Sequence, residues 1–185
     1  MRDYKGVTNL GFEFIDGLEN PSGIQEEVFL IPISHIKTEG KPVANGLTTE
    51  SIATIATNHV LNQGKAPIPV TALFNKSGAN FKLSGEELSK IFETDVELFI
   101  PQLSASTIGG AAAIKNMRFM VLVKRPGQLT GFFQIGSKGM SAKVQDISGG
   151  LGTGPTGEIG LKIALKAFDT VPMYEYTGEL PVTGV

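Results

Sequence analysis

The chain has 185 residues, 41% of them hydrophobic and 18% charged, the make-up of an ordinary globular domain that buries roughly 70% of its unfolded surface. Sixteen basic against eighteen acidic residues leave a formal charge of −2, with no block of like charge of the kind that grips a nucleic-acid backbone. Cysteine is absent, which excludes disulfides, thiolate metal sites and cysteine nucleophiles.

In chain order, Leu10, Phe12 and Phe14 alternate with Gly11 and Glu13. That predicts a half-buried strand within residues 6–16, ended by Asp16-Gly17. Residues 1–5 are polar with no apolar stretch behind them, and no run approaches the ~18 apolar residues of a membrane span. Neither a secretory leader nor a membrane segment is expected. Asn20-Pro21-Ser22-Gly23 reads as a turn, Pro21 fixing φ and Gly23 tolerating positive φ. Residues 24–33 predict a strand with Val28 and Leu30 on one face and Phe29, Ile31 and Ile33 on the other. Pro32 cannot donate to a ladder, so that end should lie at an edge or leave the sheet.

Residues 37–49, rich in Gly, Lys, Glu and Thr, read as a long exposed loop, well beyond the usual ~4–6 residue connection. Over residues 49–61 the helical spacing of Ile52, Ile55 and Ala56 competes with a Thr and Ile content that favours a strand; the strand is the reading preferred. Residues 67–74 predict a short strand with a proline at its edge, followed by an Asn75-Lys76-Ser77-Gly78 turn. Ser84-Gly85-Glu86-Glu87 fits a capping box, opening a helix with Leu88, Ile91 and Phe92 on one face. Residues 94–100 alternate as a strand that Pro101 ends. Residues 104–116 predict a helix from Ser104, carrying Ile108, Ala111, Ala112 and Ile114. Gly109 and Gly110 each cost ~1 kcal/mol against Ala there, so this helix needs tertiary support.

Residues 117–135 are the organising stretch. Met117, Phe119, Val121 and Val123 fall on one face of a first run, Met120 and Leu122 on the other, so both faces should be covered near the centre of a sheet. Arg125-Pro126-Gly127 turns the chain into Phe132, Phe133 and Ile135, a hairpin. A short strand over 141–147 and a glycine-rich loop over 149–157 follow. Ile159, Leu161, Ile163, Leu165 and Ala167 then give the cleanest alternation in the chain, over residues 158–169. The expected fold is mainly β: an antiparallel sandwich or barrel of about eight strands with one or two short flanking helices and long loops. Residues 1–185 form one domain, with 1–5 and 178–185 as terminal arms.

Motifs for chemistry are sparse. Gly152-Thr153-Gly154-Pro155-Thr156-Gly157 matches a dinucleotide fingerprint, but a period-two segment follows it where a helix is required. A flexible strand connection is the better reading. His35 and His59 are the only histidines; neither has a carboxylate at metal-ligand spacing, and each reads as a loop or strand-end residue. Asp95 and Glu97 share a strand face about 7 Å apart, a spacing that suits glycosidase carboxylates. No pocket-forming aromatics accompany them, and a solvated strand face is the simpler account. Asn75-Lys76-Ser77 is a formal glycosylation sequon without a secretory context. No catalytic, cofactor or metal residue is assigned, which favours a structural or binding role.

Several stretches together resemble the major tail tube proteins of long-tailed bacteriophages. They are Asn20-Pro21-Ser22-Gly23-Ile24 leading into Val28-Phe29-Leu30-Ile31-Pro32, and Glu97-Leu98-Phe99-Ile100-Pro101 before a small-residue helix. The strand over 117–123, Gln134-Ile135-Gly136-Ser137 and Pro172-Met173-Tyr174-Glu175-Tyr176-Thr177-Gly178 continue the order. The likeness spans nearly the whole chain in short pieces. It implies a non-enzymatic virion protein, made in the bacterial host cytoplasm, whose hexameric rings stack into a tube that meets other tail proteins. Neighbouring sheets in such tubes join into an inner barrel, and double-stranded DNA passes through the lumen without sequence-specific binding. A long loop and the termini bridge successive rings; here the loop would be residues 37–49, with Lys37, Glu39, Lys41 and Asn45 as inter-ring contacts. Asp95, Glu97, Lys162 and Lys166 are the candidates to line the lumen. The capping box at Ser84 departs from the resemblance, which puts strand there. Alternatives are a capsid decoration or tail terminator protein, the inner tube of a contractile injection system, or, in another class, a carbohydrate- or other ligand-binding sandwich. The carbohydrate reading is weakened by the absence of Trp and the presence of only Tyr4, Tyr174 and Tyr176.

Overall fold

The computed structural model describes residues 4, 6–7, 10–12, 15–42 and 48–181. Twelve strands occur among them, ten joined in one sheet and two in a small separate ladder. The axis is β8 (Arg118–Val123), which pairs antiparallel with β1 (Glu27–Pro32) on one side. On its other side it pairs with β9 (Phe132–Ile135) at its C-terminal end and with β10 (Ala142–Gly150) at Arg118 and Phe119. Phe119, Met120, Val121 and Leu122 have no solvent exposure. Both faces of β8 are therefore covered, as its two-sided apolar pattern requires.

From this axis the sheet extends two ways. One wing runs through β9 to β12 (Tyr174–Tyr176) and β3 (Thr54–Ile55), while β1 carries β5 (Ile68–Thr71) at its outer edge. The β12–β3 pair is parallel, so the sheet is mixed. The other wing runs through β10 to β11 (Gly160–Asp169), β7 (Ile91–Ile100) and β6 (Gly78–Ser84), antiparallel throughout. The wings pack face to face. Val28, Leu30, Phe119, Val121 and Val123 share one core with Val96, Leu98, Ile163 and Leu165. On the reverse face of β1 and β8, Phe29, Ile31, Met120 and Leu122 form a second core with Ile36, Ile55, Leu61 and Tyr176. That second core is roofed by the excursion from residue 33 to 61. It contains β2 (Ile36–Thr38), α1 (Thr49–Ala53) and β4 (Val60–Leu61), with β2 and β4 paired to each other. Among the described residues the sheet stays open at β6, β3 and β5, which each have one neighbour, and along β10 beyond Lys143. The architecture is a sandwich and not a closed barrel.

Several local readings hold. Pro32 ends β1, and the chain leaves the sheet through a 3-10 turn over Ile33–His35. The β8–β9 hairpin forms, and the Gln25 amide ties its turn by donating to the Arg125 and Gln128 carbonyls at 3.0 and 2.8 Å. The helix α2 (Ala105–Ile114) starts at Ser104, whose hydroxyl and that of Thr107 cap it reciprocally. Of that helix only Ile114 is buried.

Others do not. Residues 84–92 form no helix; Ser84 pairs with Ile91 across a tight β6–β7 turn. The apparent capping box lost to the alternation of Phe92, Thr94, Val96 and Leu98, which runs straight on from that turn and gains a full ladder with β11. Gly85 and Leu88 take positive φ of 106° and 64° to make the reversal. Residues 49–53 are helical, not strand, because Thr48 and Ser51 exchange capping hydrogen bonds. No strand occurs among the described residues of 6–16; Leu10 and Phe12 find no neighbouring strand and stand in solvent. The strand expected over 141–147 continues to Gly150.

Candidate functional site

Strand alternation puts Glu93, Asp95 and Glu97 of β7 on the outer face of the β10–β11–β7–β6 wing. Lys82 of β6 and Lys162 and Lys166 of β11 rise beside them. Lys162 Nζ lies 3.0 Å from Glu97, Lys166 lies 3.4 Å from Asp95, and Lys82 lies 3.3 Å from Glu93. Lys166 also pairs with Glu93. The four residues singled out in the sequence, Asp95, Glu97, Lys162 and Lys166, thus meet on one face as interlocked pairs. Lys82 and Glu93, which complete the ladder, were missed; their register across β6 and β7 was hidden by the helix expected there.

The Lys166 hydrogen bond holds the Glu93 carboxyl below the usual carboxylate range, Lys82 adding to it against a partial desolvation. The same bond raises the Lys166 ammonium above its ordinary value. The Lys162–Glu97 pair, exposed on both sides, contributes only ~0–1 kcal/mol. The larger effect of these charges is on the field: with Lys143 and Asp146 of β10, which the register places on the same face, four lysines against four carboxylates leave the face with no net charge.

This face ends at two bare edges. Among the described residues β6 has no partner beyond β7, and β10 pairs with β8 only at Ala142 and Lys143, leaving residues 144–150 paired on one side alone. A bulge between Val144 and Asp146 twists the β10 edge. On the reverse of β6, Phe81 and Leu83 are about half exposed (55% and 53%), and the Phe81 ring stands edge-on to Phe92. An edge strand with exposed apolar side chains is a template for another chain.

The glycine-rich loop joins antiparallel β10 and β11, so the dinucleotide arrangement of strand, loop and helix is not present. Beside it, Gly149, Gly150, Gly160, Phe99 and Lys76 line an open groove of about 610 Å³. Lys76 pairs with Glu158 and sits 5.2 Å from the Phe99 ring centre.

The loop expected to be exposed is so at Lys37, Thr38 and Lys41, but residues 39–41 are tied to the sheet. Lys37 lies in β2 with its side chain exposed, and the Glu39 carboxylate accepts from the Lys138 backbone N–H at 2.5 Å. Gly40 is buried and donates to His59 Nδ1 at 3.0 Å, and the Lys41 N–H reaches Thr57 Oγ1 at 3.2 Å. Asn45 lies outside the described residues. His35 lies in the 3-10 turn, its Nδ1 3.2 Å from the Ala66 carbonyl. His59 lies at a strand end as expected, directly before β4, but it is 3% exposed and bonded through both ring nitrogens. Nothing in its sequence neighbourhood signals this, because its partners Gly40, Gln134 and Tyr176 are remote along the chain.

Among the described residues no group of three or more His, Asp or Glu side chains could hold a metal ion, and no helix is long and apolar enough to cross a membrane. Compared with protein-family models, with curated proteins and with solved structures, the chain matches none.

Proposed function

We propose that this chain is a self-assembling structural protein of the bacteriophage tail, forming rings, hexameric by the family resemblance, that stack into a tube around the passing genome. The observation that carries the reading is the four-stranded wing with an open edge on each side. Its strands alternate in direction from β10 to β6. The β6 edge of one copy therefore runs antiparallel to the β10 edge of the next, and the ladder continues across the joint without reversal. Such head-to-tail pairing is heterologous and closes when the rotation per copy divides a circle. It also removes edges that a lone chain leaves unpaired.

In that ring the outer face of the wing lines the lumen. A conduit for DNA must not hold phosphate; Lys82, Lys162 and Lys166 are engaged by Glu93, Asp95 and Glu97, and Asp146 balances the charge of Lys143 on the same face. The exposed Leu10, Phe12, Phe81 and Leu83 support burial against further copies or other tail proteins.

Negative-stain electron microscopy of the purified chain over a concentration series, with light scattering, tests the proposal. Rings or tubes of uniform width are expected. Monodisperse monomers at every concentration, also after addition of a tail-tip initiator complex, would overturn it in favour of a decoration or ligand-binding module.

A further inference from the structure

His59 packs at the junction of the residue 39–41 strap with β9 and β12. Its ring stacks on Tyr176 with centroids 4.5 Å apart. Its backbone N–H donates to the Tyr176 hydroxyl at 3.1 Å, and that hydroxyl donates to the Glu179 carbonyl at 2.7 Å. The Gln134 amide donates through Nε2 to the Gly136 carbonyl at 3.0 Å, which turns its Oε1 towards His59 Nε2, 2.9 Å away. Nε2 therefore carries the hydrogen. Nδ1 is left as an acceptor, and the buried Gly40 N–H fills it. The neutral imidazole bolts the strap to the sheet by one donated and one accepted bond.

We propose that protonation of His59 is a switch that releases the strap of residues 39–41 from the sheet. An imidazolium has two donors and no acceptor. The site offers one acceptor, Gln134 Oε1, and one donor, the Gly40 N–H, so the charged ring meets Gly40 hydrogen to hydrogen in a buried place. A Cβ at the Gly40 position would collide with the Thr57 carbonyl, so a register shift that brought Glu39 or Lys41 there is blocked. The titratable groups around the ring are Glu39 on the strap, Tyr176 on β12 and Glu179 beyond it. Burial holds the histidine below its ordinary value of 6.5, with the Gln134 bond and the Glu39 charge opposing in part. The neutral, latched form thus prevails at neutral pH. A base whose folded-state value is depressed contributes stability that is complete above 6.5 and fades as pH falls towards the folded value.

The inference does not need the tube reading, and its test uses unassembled chain. Amide exchange is followed by NMR on 15N-labelled protein between pH 7.5 and 5.0, with protection factors corrected for the intrinsic pH dependence. Protection at Gly40 and Lys41 is expected to fall by up to about tenfold per pH unit below 6.5. It should also lie well below that of Ile163 and Leu165 in β11, which only global unfolding exposes and which lose protection by the same linkage from a higher level. The imidazole nitrogens should report the Nε2–H tautomer and titrate in step with Gly40. In H59N, whose side-chain oxygen can still accept from Gly40 but does not titrate in this range, the pH profile should be flat. Protection at Gly40 that stays constant with pH, or that equals that of Leu165 throughout so that only global unfolding exposes it, would overturn the switch. An unaltered slope in H59N would do the same, and should that variant not fold, the wild-type comparison of Gly40 with Leu165 decides.

Discussion

Lys166 is the direct cross-strand partner of Asp95, yet its ammonium also binds Glu93, the residue diagonal to it on β7. Glu93 is in turn the direct partner of Lys82 on β6. One nearly buried carboxylate therefore links three strands of the wing. Its depressed protonation range fixes the sign of a pH effect. A carboxylate held below its ordinary value of 4.5 contributes stability that is present above that value and lost as pH falls through the folded one. E93Q should lower the urea midpoint at pH 7 and leave the m-value unchanged. The gap to wild type should narrow below pH 4.5 and close at lower pH. A gap that stays constant down to pH 3 would show that the carboxylate charge is not what Lys82 and Lys166 use.

Two glycines should respond to alanine with opposite signs. At Gly160 an added methyl collides with the Phe99 ring and comes within 2.8 Å of the Ile100 carbonyl. The ring can move, but the backbone cannot without breaking the β11–β7 ladder. G160A is expected to cost ~1–3 kcal/mol. At Gly109, inside α2, the methyl meets nothing within 4 Å. G109A should gain ~0.5–1 kcal/mol by removing backbone freedom from the unfolded chain. Urea midpoints of the two variants check both signs at once.

Much of this fold is legible in the sequence because strand periodicity is a local property. The alternation of Leu161, Ile163 and Leu165, and the two-sided apolar run of β8, mark buried faces whatever they pair with. The four charged residues of the wing could be found the same way, since a face of a strand can be read without knowing its neighbours. What could not be read is pairing. Ser84 to Glu87 satisfies a local helix-start pattern, and only the competing ladder with β7 shows that a turn prevails. His59 is the extreme case. Its role depends on Gly40, Gln134 and Tyr176, 19, 75 and 117 residues away, and no spacing rule reaches that far.

Leu165 tests the shared core between the wings. It is 1% exposed and lies across from Val96 on β7 and Val144 on β10. L165A should cost ~2–5 kcal/mol, the range for a buried leucine whose neighbours relax incompletely. L165D, or V121D on β8, should not fold, since neither site offers a partner for the charge. Circular dichroism and urea unfolding separate these outcomes. A loss below ~1 kcal/mol for L165A would mean that the wings are loosely packed there.

The β6 edge separates folding from assembly. Leu83 lies opposite Phe92 with about half its surface in water, so L83E forfeits half a leucine's burial and should cost the monomer ~1 kcal/mol. F81E forfeits the edge-on contact with Phe92 as well, for which ~0.5–1.5 kcal/mol is typical. If β6 is the joint between copies, either charge must be desolvated beside the incoming strand, and rings should vanish at concentrations where the wild-type chain forms them. Sedimentation and electron microscopy, run beside urea unfolding of the same samples, make the comparison. An L83E chain that assembles with the wild-type concentration dependence would move the joint away from β6, and with it the lumen away from the face that carries Glu93, Asp95 and Lys166.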